Sequence, residues 1–339
     1  MIEITRLSKF LIRRILFSIP VFFGVTIIVW ALMYAAGDPV RLMLAGVPYI
    51  TPEVVENLRR YYHLDRPVWE QYMFWVLNLV RGNWGNSYVY NQPIINLIVP
   101  WTVETLKLQL SALALALFLA IFIGIYSARH PYSITDMAVT TLALLGVSMP
   151  IFVWGIFGIL VFSSYAHTAT TALFGFPIYF PPVGAHAWNY RTFPFPLFLA
   201  DAIWHMILPM CVLAITYMAL YVRLVRSGMR ETLEQDYVLA ARASGLSDRK
   251  VVYKHALRNA LIPLITYVGL AIATSFAGAP ITETVFTWPG MGYYYVQALY
   301  NLDFPLIMAV ISILTILILA ANIVVDMTYG FIDPRITVE

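Results

Sequence analysis

Few side chains in this 339-residue chain are spaced for chemistry. The nearest approach to a metal set is His205, Met206, Met210 and Cys211. On a helix, adjacent residues project about 100° apart, so His205 and Met206 cannot share a face. Methionine is also a common apolar filler. Ser148, in Gly146-Val-Ser-Met-Pro150, lacks the second glycine of a nucleophile elbow and sits inside an apolar run, where its hydroxyl bonds its own helix. No H-E-x-x-H pair occurs, and no G-x-x-x-x-G-K-[ST] phosphate loop, so neither metallopeptidase nor ATPase chemistry is expected of this chain. With a single cysteine, Cys211, an internal disulfide framework is excluded. The expectation is no catalytic residue, no metal and no bound cofactor.

The stretch richest in functional side chains is instead 223–259. It carries Arg223, Arg226, Arg230, Arg242, Arg249, Lys250, Lys254 and Arg258 against Glu231, Glu234, Asp236 and Asp248. From Thr232 to Ser244 the residues favour one helix, with small Ala240, Ala241 and Ala243 near its end. Gly245 can adopt the left-handed conformation that stops a helix, and Ser247 can cap the next. The product is a helix, a glycine turn and a second helix. Two readings stand. Such a unit can be a rigid lever whose small residues let another protein approach the backbone, with arginines around the rim. It can also be an ordinary basic loop at anionic lipid headgroups. The small residues before the glycine favour docking, because lipid contact does not require them.

The elements that must position this segment are set by composition. Hydrophobic residues make up 60% of the chain and charged residues only 12%, against about 25% charged in soluble domains. Lipid is the solvent that fits. The net charge of +3 is too small for nucleic acid. A span needs about 20 apolar residues, and six stretches qualify: residues 15–36, 108–126, 137–165, 203–222, 260–281 and 305–325. Each must be helical, since lipid leaves unpaired backbone groups unsatisfied. The third is overlong and predicts a kink at Pro150. The apolar run after Arg6, Lys9, Arg13 and Arg14 is too long for a signal peptide, so a retained first helix is expected.

With the N-terminus inside, basic residues in the inner segments outnumber the outer ones two to one, which places both termini in the cytoplasm. The organisation expected is a cytoplasmic N-terminus (1–14), a first span (15–36), an extracellular helical loop (37–105), a core of five further spans (106–329) that includes the cytoplasmic loop 223–259, and a cytoplasmic tail (330–339). In the first loop, Thr51-Pro52-Glu53 starts one helix that bears Val54, Val55, Leu58, Tyr61 and Tyr62. A second runs from Pro67 to Val80, and Gly82 and Gly85 end it. These helices either pack over the span ends or rest on the membrane surface. The second outer loop, 166–200, is rich in Pro and aromatics (Phe176, Pro177, Trp188, Phe193), as interface anchors or as a partner contact. Ionisable Lys107, Asp201, His205 and Asp326 lie near span ends. A proton-coupled carrier needs a deeper carboxylate.

The segment Ala241-Arg-Ala-Ser-Gly245-Leu-Ser, followed by His255-Ala-Leu-Arg-Asn-Ala260, resembles the cytoplasmic EAA loop of ATP-binding-cassette (ABC) importer permeases in the version of dipeptide and oligopeptide permeases. Leu239 stands where the general motif has Glu, and His255 and Arg258 replace its Ile and Pro. Nearly the whole chain shares the likeness: Gly37-Asp38-Pro39, Leu64-Asp-Arg-Pro67, Gly82-Asn-Trp-Gly-Asn-Ser87, Glu283-Thr-Val-Phe-Thr-Trp-Pro-Gly-Met-Gly292 and Asp333-Pro-Arg335 fall in the family's order. The resemblance implies an all-α permease of the plasma membrane working by alternating access. Its implied partners are a second similar permease, two cytoplasmic ATPases that bind the ATP, and an external solute-binding protein. It also implies ATPase docking through Tyr237, Ala240, Ala241, Arg242, Gly245 and Leu246. Peptides lead as substrate, with oligosaccharides or nickel as alternatives. A passive channel or membrane scaffold is the reading from another class.

Overall fold

The computed structural model describes residues 2–37, 40, 51–61 and 64–332. Asp38, Pro39, Tyr62, Asp333-Pro334-Arg335 and the side chain of Asp326 lie outside this description. Among the described residues every regular element is a helix, with one isolated bridge between Asn86 and Pro93. In chain order the helices are α1 (Ile2–Ala36), α2 (Pro52–Tyr61), α3 (Val68–Val80), α4 (Ile94–Arg129), α5 (Ile134–Ser148), α6 (Ile151–Phe174, with a π-helical stretch at Leu160–Tyr165), α7 (Phe195–Leu233), α8 (Asp236–Ala243), α9 (Asp248–Ala260), α10 (Ile262–Ser275), α11 (Pro280–Val285), α12 (Met291–Tyr300) and α13 (Phe304–Ile332). Among them, five are long and apolar enough to cross a membrane, and six if α9 and α10, bent by 53°, count as one.

Three expectations change. The third stretch does not kink but breaks. Met149 is extended (φ −88°, ψ 133°) and Pro150 caps a new helix, because the residue before proline is pushed out of the helical region and proline offers no N–H. The 15 residues of α5 reach only about 22 Å, short of a span, and α6 supplies the length instead. The fifth stretch is likewise divided. Helix α10 ends at Ser275, Gly278 turns the chain at φ +76°, and Pro280 opens α11. Finally, the helix that carries Leu108–Tyr126 starts at Ile94, well before the end expected for the outer loop.

The chain divides into two compact units, one through Val103 together with Gly290 onward, the other from Glu104 to Pro289. In the first, α1 and α13 pack together, with Val29 and Met33 against a core of Ile94, Ile98, Trp101, Met291 and Leu306. Trp101 stacks on Tyr294 with ring centroids 3.9 Å apart. Helix α3 leans on α1 through a 2.9 Å bond between the Tyr72 and Thr26 hydroxyls and through edge contact between Tyr72 and Trp30. Its other side shows Trp69, Met73, Leu77 and Val80, an exposed apolar stripe at helical spacing. Both readings of the outer helices thus have a face on α3: one packs over a span end and the other is suited to lipid.

The glycine-rich turn before α4 closes around a carboxylate. Gly82 and Gly85 take positive φ, and Asp303, fully buried at the head of α13, accepts bonds from the Ser87 hydroxyl and from the backbone N–H of Tyr88, Val89 and Leu306.

In the second unit α7 is the axis. A Cβ on Gly124 of α4 would meet the Val225 side chain at 2.7 Å, and one on Gly228 of α7 would meet the Ala260 carbonyl oxygen at 2.6 Å. Helix backbones approach this closely only where a side chain is missing.

Candidate docking elbow

Residues 234–260 form an elbow hung on this axis. Helix α7 ends at Leu233, Glu234 and Gln235 leave the helical path, and α8 begins at Asp236. The single helix expected over 232–244 is therefore two, separated by the extended backbone of Gln235 (ψ 144°). Four events set the elbow. Ser244 N–H bonds to the Ala240 carbonyl at 2.9 Å, Gly245 N–H bonds to the Arg242 carbonyl at 3.0 Å, Gly245 turns at φ +80°, and Ser247 opens α9 from extended backbone. A Cβ on Gly245 would meet nothing within 4 Å. The glycine is required by backbone conformation alone, since the left-handed region costs an ordinary L-residue about 1–2 kcal/mol. Ser247 stands at the expected cap position but makes no side-chain cap bond.

One side of α8 is anchored. Val238 is fully buried in a cluster with Val225, Met229, Val251, Val252, Ala256 and Ala260. The Asn259 amide donates to the Tyr237 hydroxyl at 2.7 Å, tying the start of α8 to the end of α9. Asp248 accepts from Arg129 at 2.6 Å and lies 3.9 Å from Arg242, so the far end of α4 and the tip of α8 share one carboxylate. These last groups are exposed, and each pair stabilises by a few tenths of a kcal/mol, up to about 1.

The other side is open. Tyr237, Ala240, Arg242, Gly245 and Leu246 are all exposed. Ala241 is the exception among the six residues named from the sequence, for it turns inward and packs on the Val238 cluster. Leu239, half-exposed where the general motif carries Glu, joins the open face instead. The surface combines small residues (Ala240, Ala243, Ser244, Gly245) with apolar projections at Leu239 and Leu246, and Arg242, Arg249 and Lys250 stand nearby. It can accept another protein at close range and pair with that protein's carboxylates.

Sequence reading missed the group that fixes the axis beneath the elbow. Asp136, 2% exposed, takes both arms of Arg226 at 2.6 and 2.7 Å, together with the Ser127 hydroxyl and the Tyr132 N–H at 3.0 Å. The guanidinium bonds hold the Asp136 carboxyl well below the usual carboxylate range. Arg226, counted from the sequence among the loop's basic residues, is therefore a brace between α5 and α7. The only local signal was Ser133, three residues ahead, whose hydroxyl accepts the Asp136 N–H and caps α5. Glu283, fully buried in the short α11, accepts from the Thr105 hydroxyl at 3.0 Å and the Ala279 N–H at 3.1 Å. The sequence marks it only as part of a motif. In the His205 region, His205 Nδ1 lies 2.9 Å from the Asp201 carbonyl, while Met206 and Met210 pack against Leu108, Ala112, Leu213 and Trp288.

Residues 120–338 match the family described as "Binding-protein-dependent transport system inner membrane component", and residues 7–95 match its N-terminal counterpart. The chain is 38% identical over 332 residues to the oligopeptide transport system permease protein AppB of Bacillus subtilis, covering 97% of this chain and 99% of the relative. It is 35% identical over 343 residues to the dipeptide transport system permease protein DppB of Escherichia coli K12, at 97% and 98% coverage. To the di/tripeptide transport system permease protein DppB of Pseudomonas aeruginosa it is 37% identical over 331 residues, at 97% and 98%. With its apolar helices and its open, braced elbow, the chain belongs to the family of binding-protein-dependent transport system inner membrane components, the permease subunits of ABC importers.

Proposed function

We propose that this chain carries di- and oligopeptides inward by alternating access, as one of two paired permeases, driven by two ATPases that bind the nucleotide and dock at the elbow. The peptide reading is supported by the relatives, whose names specify oligopeptide, dipeptide and di/tripeptide transport. The docking reading is carried by one observation: α8 is pinned by a fully buried Val238 on one side and leaves Tyr237, Leu239, Ala240 and Arg242 open on the other. A force on the open side is then passed through the Val238 cluster to α7 and α9. The elbow faces the cytoplasm in this reading, with both termini on the same side, as the distribution of basic residues supports. An external binding protein delivers the substrate.

The test is reconstitution of the complete transporter in proteoliposomes, following ATP hydrolysis and uptake of labelled peptides together. Gly245→Val is expected to leave assembly and hydrolysis in place while uptake falls. Unchanged uptake removes the elbow from coupling. The substrate class is tested separately by asking what the binding protein retains from a mixture of peptides, oligosaccharides and nickel. Retention of sugar or metal alone overturns the peptide reading and leaves the docking reading intact.

A further inference from the structure

The short turn between α4 and α5 holds two large side chains away from the protein. Tyr132 is 79% exposed, and Ile134, the first residue of α5, is 86% exposed. Tyr132 stands at φ +62°, in the left-handed region that few residues other than glycine adopt. Such backbone persists where its surroundings fix it. Here the Tyr132 N–H donates at 3.0 Å to Asp136, the carboxylate that both arms of Arg226 hold, and the Ser133 hydroxyl donates to the His130 carbonyl at 2.7 Å. The Arg230 guanidinium lies 5.5 Å from the centre of the Tyr132 ring. The turn is a braced mount for an exposed tyrosine and isoleucine.

Three observations bear on what covers them. First, the turn stands beyond the lipid. Helix α5 runs against α7 with Gly146 beside Ala219 and Asp136 beside Arg226, which sets Tyr132 level with Arg230. Arg230 lies eight residues past Val222, the end of the apolar run, or about 12 Å along the helix. The headgroup layer on one face of a bilayer is only about 5–8 Å deep. Second, the turn is continuous with the elbow. Arg129, the last residue of α4, bonds to Asp248 at 2.6 Å, and Asp248 lies 3.9 Å from Arg242 on α8. Third, Tyr132 follows Arg129 by at most about 11 Å of chain, whereas a small folded domain is about 30 Å across. A protein seated on the open face of α8 is wide enough to cover the turn as well.

We propose that Tyr132 and Ile134 form a second contact for the ATPase subunit that docks on the elbow, an aromatic and aliphatic pair received by an apolar pocket of that subunit. This inference rests on the docking reading of α8. Tyrosine is among the residue types that carry most interface energy, and a mount already fixed by Asp136 has little freedom left to lose on binding. The two contacts reach α7 by separate routes: α8 through the Val238 cluster, and the turn through the bond from Tyr132 to Asp136 and on to Arg226.

The test places the photo-cross-linker p-benzoylphenylalanine at Tyr132, and separately at Leu239 on α8, in the assembled transporter in nanodiscs. Both positions are expected to cross-link to the ATPase. Cross-links to the ATPase from Leu239 alone overturn the second contact and leave the elbow standing, whereas none from either position removes both. Cross-links from Tyr132 confined to lipid or to the paired permease also overturn the proposal. Tyr132→Gly then separates contact from support, since glycine adopts this backbone freely. The unfolding temperature of the permease pair should stay near wild type, while the Kd for the ATPase rises about tenfold, as for truncation of an interface tyrosine. An unchanged Kd overturns the proposal.

Discussion

The elbow at Gly245 and the turn at Gly82–Ser87 begin from the same local device. In each, a helix ends, a glycine enters the left-handed region with open space around it, and the chain moves towards another helix. Beyond the glycine the two diverge. After Gly82 the chain wraps its N–H groups and Ser87 around the buried Asp303, so its polar groups are consumed internally. After Gly245 the chain is exposed from Leu246 to Lys250, and the unit is held from one side, by Val238 and Ala241 in the cluster with α7 and α9 and by the exposed Arg129–Asp248 pair. A closed turn of this kind supports a fold. An open one, anchored on a single side, is available to a partner. The glycine does not distinguish them; the surroundings do.

Five substitutions break or sharpen that contrast, from largest effect to smallest. Uptake by Gly245→Val should fall at least about tenfold, because a β-branched residue is a strong outlier at φ +80° and the open face is re-aimed. The matched change Gly82→Val, at φ +76°, should lower the unfolding temperature yet leave the ratio of uptake to hydrolysis near wild type. Equal uncoupling by both would erase the distinction. Next in size is Arg226→Met, which strands the buried Asp136 and should cost about 3–5 kcal/mol, read by thermal unfolding of the complex in detergent. Asp303→Ala leaves the Ser87, Tyr88 and Val89 donors without their acceptor and should cost about 2–3 kcal/mol, with coupling preserved in whatever folds. The smallest is Ser87→Ala, about 1 kcal/mol.

The Asp136 brace also sets a pH dependence. Its carboxyl is held below the unfolded value of about 3.9, so its stabilisation is complete above that value and is lost as pH falls through the folded one. Unfolding temperatures at pH 7 and pH 5 should therefore show the same difference between wild type and Asp136→Asn, and that difference should shrink below about pH 4. A difference already shrinking at pH 5 would remove the brace.

The sequence by itself determined what short-range chemistry can encode. Apolar runs of span length required helices in lipid. Pro52 and Pro67 placed the starts of α2 and α3, and Gly245 with Ser247 placed the elbow to within a residue. The break at Pro150 was legible as a site but not in degree, since a kink and a full interruption begin from the same residue type, whereas the break at Gly278 fell inside a stretch read as one span. What only the tertiary structure decided concerns partners distant along the chain. The pairing of Asp136 with Arg226, the closure of Ser87 on Asp303, and the inward turn of Ala241 with the outward turn of Leu239 all depend on which helices meet. Helix periodicity reports that a helix has faces. Which face is buried, and against what, is settled by packing between elements that no local pattern records.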